Sequence, residues 1–148
     1  MPFLVLQVTH VLAAIVAVGL NVSYAFWLNR AGRDRDRLLF VIESVRRLDR
    51  TVANPGYVVL LVTGLGMVLT GVYQLTTGWI LVSLALYVLV AILGFTAFAP
   101  AIRRQLAEAE RDPGSDAYAA AAARSMRLGY LVTGIVLVIV TLMVTKPF

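Results

Sequence analysis

The 148-residue sequence contains no cysteine and only one histidine. No disulfide, thiolate metal site or thiol nucleophile can form, and one chain cannot hold a metal between two histidines. Charge is scarce as well: 14% of residues are Asp, Glu, Lys or Arg. Residues 1–29, 51–102 and 128–145 carry no charged side chain at all. What remains is 60% hydrophobic, too apolar for a soluble domain of this size.

A bilayer core takes about 20 apolar residues per helix. The first and last runs hold one span each, and the middle run holds two. The expected fold is all-α: a single-domain bundle of four transmembrane helices, with short amphipathic segments on the cytoplasmic side. The spans are expected near 3–28, 55–75, 79–98 and 128–145. The opening run lacks the basic region of a signal peptide and is too long for one, so it reads as a retained first span. Asn54 suits the cap of span two and Pro55 its first turn. "TTG" at 76–78 reads as a tight hairpin, and Pro100 as the end or kink of span three. "DPGSD" at 112–116 is a turn whose Ser115 or Asp116 can cap the last helix.

Charge placement sets the expected threading. Arg30, Arg33, Arg35, Arg37, Arg46, Arg47 and Arg50 follow span one, and Arg103, Arg104, Arg111, Arg124 and Arg127 follow span three. The other side has only Lys146. Basic residues stay on the cytoplasmic side, so segments 30–53 and 100–127 are expected there and both termini outside. Twelve Arg against one Lys, with many Ala and Val, fits a GC-rich bacterial genome; the location read is a bacterial inner membrane. Leu38, Ile42, Val45 and Leu48 recur at helical spacing. They make an amphipathic helix that lies on the membrane or leads into span two. The high pI of 10.1 does not indicate nucleic-acid binding, because Asp34, Asp36, Glu43 and Asp49 interrupt the basic run.

Within the apolar spans, polar residues are the informative exceptions. Gln7, His10, Ala14, Ala17, Asn21 and Tyr24 follow 3–4–3–4–3 spacing and share one helix face. Bare amides and imidazoles are costly in lipid, so this face is expected to turn inward. Thr63 and Thr70, with Gly56, Met67 and Gln74, form a matching row on span two. Span three offers Ser83, Tyr87, Ala91 and Gly94; span four offers Tyr130, Thr133, Gly134 and Thr141. His10 reads either as a ligand or proton-handling group, or as a neutral imidazole bonded to Tyr130, a threonine or Gln74. Met143 lies at similar depth and is a soft candidate ligand. All eight acidic residues lie in the charged segments, which argues against a carboxylate proton relay.

Several segments resemble a known family. "VTHVLAAIVAVG", "NPGYVVLLVTGLGMVLTG", "GWILVSLALYVLVAILGF" and the ending "LMVTKPF" resemble the DUF2269 family of bacterial membrane proteins. That family is distantly similar to copper-resistance-D-like and HemJ-like membrane proteins, which also place a histidine early in a first span. The resemblance implies a site at His10, with Lys146 carried by the ending. The further histidines of those proteins have no counterpart here. Three functions follow as expectations. The first is a non-enzymatic accessory or assembly subunit that contacts lipid and other membrane subunits or itself. The second is a haem b or copper redox protein centred on His10. The third is a small solute or ion pathway lined by Thr63, Thr70, Asn21 and Ser83.

Overall fold

The computed structural model describes residues 1–32 and 34–148; Arg33, one of the arginines counted above, lies outside the described residues. The elements are α1 (Pro2–Ala31), α2 (Arg35–Leu48), α3 (Asn54–Leu69), α4 (Gly78–Leu93), α5 (Ala99–Arg111) and α6 (Asp116–Thr145). Two π-helical turns, Asp49–Ala53 and Gly94–Phe98, join α2 to α3 and α4 to α5. Four continuous helices result, each long and apolar enough to cross a membrane: Pro2–Ala31, Arg35–Leu69, Gly78–Arg111 and Asp116–Thr145.

Both π turns sit just before a proline, and that explains why neither proline ends its helix. A proline in an α-helix clashes with the carbonyl four residues back and cannot bond it. The wider turn changes the bonding step just ahead of it. The Asn54 N–H bonds Asp49 O, and the Ala99 N–H bonds Gly94 O, each five residues back. Pro55 and Pro100 then take the first turns of α3 and α5. The expected stop or kink at Pro100 is therefore replaced by a continued helix. Asn54 does not cap α3; its side chain reaches Asp49 Oδ2 at 3.4 Å. Of the two placements expected for the amphipathic helix, the one leading into span two is found.

Arg35–Leu69 and Gly78–Arg111 hold 35 and 34 residues. At about 1.5 Å per residue each exceeds the ~30 Å of hydrocarbon, so their arginine-bearing halves project beyond the apolar layer. There α2 and α5 pack with the ends of α1 and α6. Leu38, Ile42 and Ala109 are wholly buried, against Ala31 and Ile102. Ser125 Oγ donates to Gln105 Oε1 inside this head. Asp34 caps α2 through the Arg37 N–H (2.9 Å), and Ser115 caps α6 through the Tyr118 N–H (3.1 Å), as "DPGSD" suggests. Among the described residues the one side-chain ion pair is Arg111–Glu108 at 3.6 Å. Arg46, Arg47, Arg50, Arg103, Arg104, Arg124 and Arg127 are exposed.

In the apolar half, α1 packs on α3, α6 on α4, and α1 on α6. The closest approaches of α1 and α3 are at glycines. A Cβ on Gly56 would stand 3.2 Å from Ala17 Cβ, and one on Gly64 would stand 3.3 Å from His10 Cε1. No Cα of α3 comes within 8 Å of one in α4, although the two are consecutive. The four helices therefore form an open arc, α3–α1–α6–α4. Helix α3 ends at Leu69 rather than near Leu75, because Gly71 turns the chain with φ +78° and its N–H bonds Val68 O at 2.9 Å. The connection to α4 is 70–77, longer than the 76–78 hairpin expected.

Candidate functional site

The open arc encloses a cavity of about 460 Å³, lined by all four long helices and overwhelmingly apolar. That volume lies in the range of small-molecule sites. Its floor is marked by a single strut across the α3–α4 gap: Tyr87 Oη donates to Tyr57 O at 2.9 Å. Its upper part, next to the 70–77 connection, holds the few polar groups, with Gln7, His10, Ser83 and Lys146 on its walls.

His10 is the best defined of these. Its Nδ1 lies 2.9 Å from Thr63 Oγ1. Of the partners expected for it, Thr63 is the one found. Tyr130 is 57% exposed on the far side of α6, and Gln74 lies in the 70–77 connection. The His10–Thr63 bond fixes the register of α1 on α3. The next residue, Gly64, has no side chain in the way, and the Cε1–Nδ1 edge of the imidazole comes close to α3 there. Met143 and Met67 line the same cavity, so the structure brings the candidate thioether and the imidazole to one space. Among the described residues no group of three or more His, Cys, Asp or Glu could hold a metal ion.

The rest of the α1 stripe divides. Ala17 is fully buried, at the Gly56 contact. Asn21 Nδ2 donates to Tyr57 Oη at 2.7 Å and to Ala17 O at 3.1 Å, which ties α1 to α3 below the cavity. Tyr24 is buried with its hydroxyl unpartnered. Gln7 lines the cavity but is itself exposed. Thr70 does not belong to an interior row. It is exposed at the end of α3 and returns its hydroxyl to Met67 O at 2.6 Å. Of the four residues expected to line a solute pathway, Ser83 alone lines the cavity. Thr9, Thr96 and Thr141 bond their own helix carbonyls, as hydroxyls facing lipid do.

Two features escaped the sequence reading. One is the Tyr57, Leu60, Gly64, Met67 face of α3, whose 3–4–3 spacing is legible in hindsight. The other is a latch at the rim. Lys146 adopts a left-handed conformation, and its Nζ donates to Tyr73 Oη at 2.6 Å and sits 4.9 Å from the Tyr73 ring and 5.8 Å from the Trp79 ring. Phe148 then packs on Gly78, where a Cβ would meet its ring at 2.5 Å. Lys146→Ala is expected to cost about 1 kcal/mol from the lost hydrogen bond and cation–π contacts. In a Trp27→Phe background it should also shift Trp79 fluorescence to the red; an unmoved spectrum would show that Lys146 does not hold the rim.

Residues 4–147 match the family described as "Predicted integral membrane protein (DUF2269)". No curated protein and no solved structure matches the chain. With nearly its whole length matched and four helices fit to cross a bilayer, the chain belongs to the DUF2269 family of integral membrane proteins.

Proposed function

We propose that this protein is an intramembrane binding protein that admits a lipid-soluble molecule between α3 and α4. The observation that carries this reading is the cavity: apolar, about 460 Å³, and bordered by two consecutive helices whose backbones stay apart and which meet through the Tyr87–Tyr57 hydrogen bond. In lipid, helices associate through van der Waals packing and interhelical hydrogen bonds, so a lasting gap needs an occupant. Bilayer lipid is the default occupant, and a dedicated ligand competes with it by matching the polar groups on the wall. The protein is read as lying in a bacterial cytoplasmic membrane. Its arginine-rich head faces the cytoplasm, and residues 1 and 148 lie on the other side, on the strength of twelve Arg against one Lys. The exposed head arginines suit anionic lipid phosphates.

The test is native mass spectrometry of the full chain released from mild detergent. The parent protein should retain a stoichiometric apolar adduct, and Ala14→Phe, which fills the cavity from α1, should lose it. A parent protein free of adducts would end the reading. A second role, as an accessory subunit of a larger membrane assembly or of a self-assembly, is supported by α6. There Ala119, Ala120 and Ala123 are exposed and Gly134 has open space around it, a surface on which another helix can approach closely.

A further inference from the structure

We infer that the molecule held in this cavity carries a hydroxyl group, and that it donates its O–H to Nε2 of His10. The inference rests on the binding reading above and deepens it by naming the ligand's chemistry.

Thr63 Oγ1 lies 2.6 Å from Val59 O and 3.3 Å from Leu60 O. A carbonyl oxygen only accepts, so the single hydroxyl proton of Thr63 points to its own helix. The oxygen of Thr63 is then left as an acceptor toward His10 Nδ1, 2.9 Å away. The N–H is accordingly assigned to Nδ1, with Thr63 Oγ1 as its acceptor. A neutral imidazole has one N–H, so Nε2 is a bare lone pair. An imidazolium would need a counter-ion, and every acidic residue of the chain lies in segments 34–49 and 108–116, at the arginine-rich end. The Leu60 carbonyl also approaches the ring; it lies 3.3 Å from Thr63 Oγ1, the partner of Nδ1, and so on the Nδ1 side, which leaves Nε2 to the cavity that the ring lines.

An unpartnered acceptor selects its ligand. A ketone, an ester or a phosphate diester offers only acceptors and leaves Nε2 unsatisfied. An ammonium donates but brings an uncompensated charge into lipid. A hydroxyl donates without charge and still accepts. Ser83 supplies the matching second group. It lies on α4, lines the same cavity, is 1% exposed, and its Oγ has no partner. Its O–H can be donated to a lone pair of the ligand oxygen while that oxygen keeps its own proton and donates it in a hydrogen bond to His10. The ligand class is thus an apolar molecule with a neutral hydroxyl, either an aliphatic alcohol or a phenol of the hydroquinone type.

His10 is the sole histidine, so labelling with 15N-histidine reports on this ring alone. In nanodiscs the spectrum should show Nδ1 protonated and Nε2 bare. A ring protonated on Nε2 overturns the inference, whatever any variant does. Binding is then measured for matched probes: hexadecanol and its methyl ether, decylhydroquinone and its dimethyl ether, and hexadecane. At least one hydroxyl probe should bind about tenfold more tightly than its ether, and should move the Nε2 resonance as that nitrogen accepts a hydrogen bond. Which pair shows the preference separates the alcohol from the phenol. His10→Phe should erase the preference while hexadecane still binds. If ethers and hexadecane bind as tightly as the hydroxyl probes, the hydroxyl inference falls and the cavity reading stands. If no probe binds, both fall.

Discussion

Ile42→Asp is expected to unfold the arginine-rich head and to lower overall stability by at least about 3 kcal/mol. Ile42 is 0% exposed, on the face of α2 that meets Ala31, Leu38, Ile102 and Ala109. The substitution removes a buried branched chain and leaves a carboxylate with neither water nor a cation. Arg46, one turn on, is exposed, and pairing with it would draw the carboxylate out of the packed face or the guanidinium into it, so either way the core around position 42 opens. Phe40→Asp is the control. Phe40 sits two residues away on the same helix and is 73% exposed, so the same change in charge should leave the head intact. Circular dichroism during thermal unfolding in detergent distinguishes the two. Equal melting of both variants would mean that the head has no packed core.

That head shows what the sequence carries and what it leaves open. Leu38, Ile42, Val45 and Leu48 recur at helical spacing; the first three are buried and Leu48 is exposed. The period of 3.6 residues fixes which side of a helix is apolar. It does not say whether that side meets lipid or protein. The choice is made by the π turn at Asp49–Ala53, through which α2 runs on into α3 as one helix of 35 residues, so that its apolar side meets α1 and α5. A proline read alone signals a break. The break is avoided by a change of hydrogen-bond step in the residues before it, and no residue type announces that step.

The site divides in the same way. The 3–4 spacing of Gln7, His10, Ala14, Ala17 and Asn21 places them on one face, and His10 and Asn21 do bond across to α3. A polar side chain in lipid has to find a partner, so its direction follows from composition alone. Which partner it finds depends on which face each neighbour turns to it. The sequence offers Tyr130 and Thr63 alike, and α1 lies beside both α3 and α6; α6 leaves Tyr130 57% exposed while α3 buries Thr63, and Thr63 is the partner. Thr70 fits the inward row by spacing, yet Gly71 ends the helix beside it and the row stops there. The cavity is the least legible feature, because it is created by the close backbone packing that α3 and α4 do not make.

Gly56→Leu is expected to be the most damaging substitution in the apolar half, at about 1–3 kcal/mol or more. In lipid, apolar burial does not hold helices together, so close packing and interhelical hydrogen bonds carry the α1–α3 pair. At Gly56 even one methyl would stand 3.2 Å from Ala17 Cβ and 3.9 Å from Ala13 O. Neither can move aside, since one is a methyl fixed to the α1 backbone and the other belongs to that backbone. A leucine must therefore push α1 away from α3. The Asn21–Tyr57 bond of 2.7 Å is next to the wedge and should break first, followed by the His10–Thr63 bond of 2.9 Å. Loss of the second bond frees Nδ1, so the 15N spectrum of His10 should change along with stability. Gly134→Leu is the comparison, because nothing lies within 4 Å of a Cβ there; it should leave both unchanged. The double variant Gly56→Ala with Ala17→Gly moves the methyl to the other helix and should recover most of what Gly56→Ala alone loses. The measurement is the midpoint of unfolding as sodium dodecyl sulfate is added to protein in mild detergent. Equal midpoints for Gly56→Leu and Gly134→Leu would show that α1 and α3 are not held by this contact.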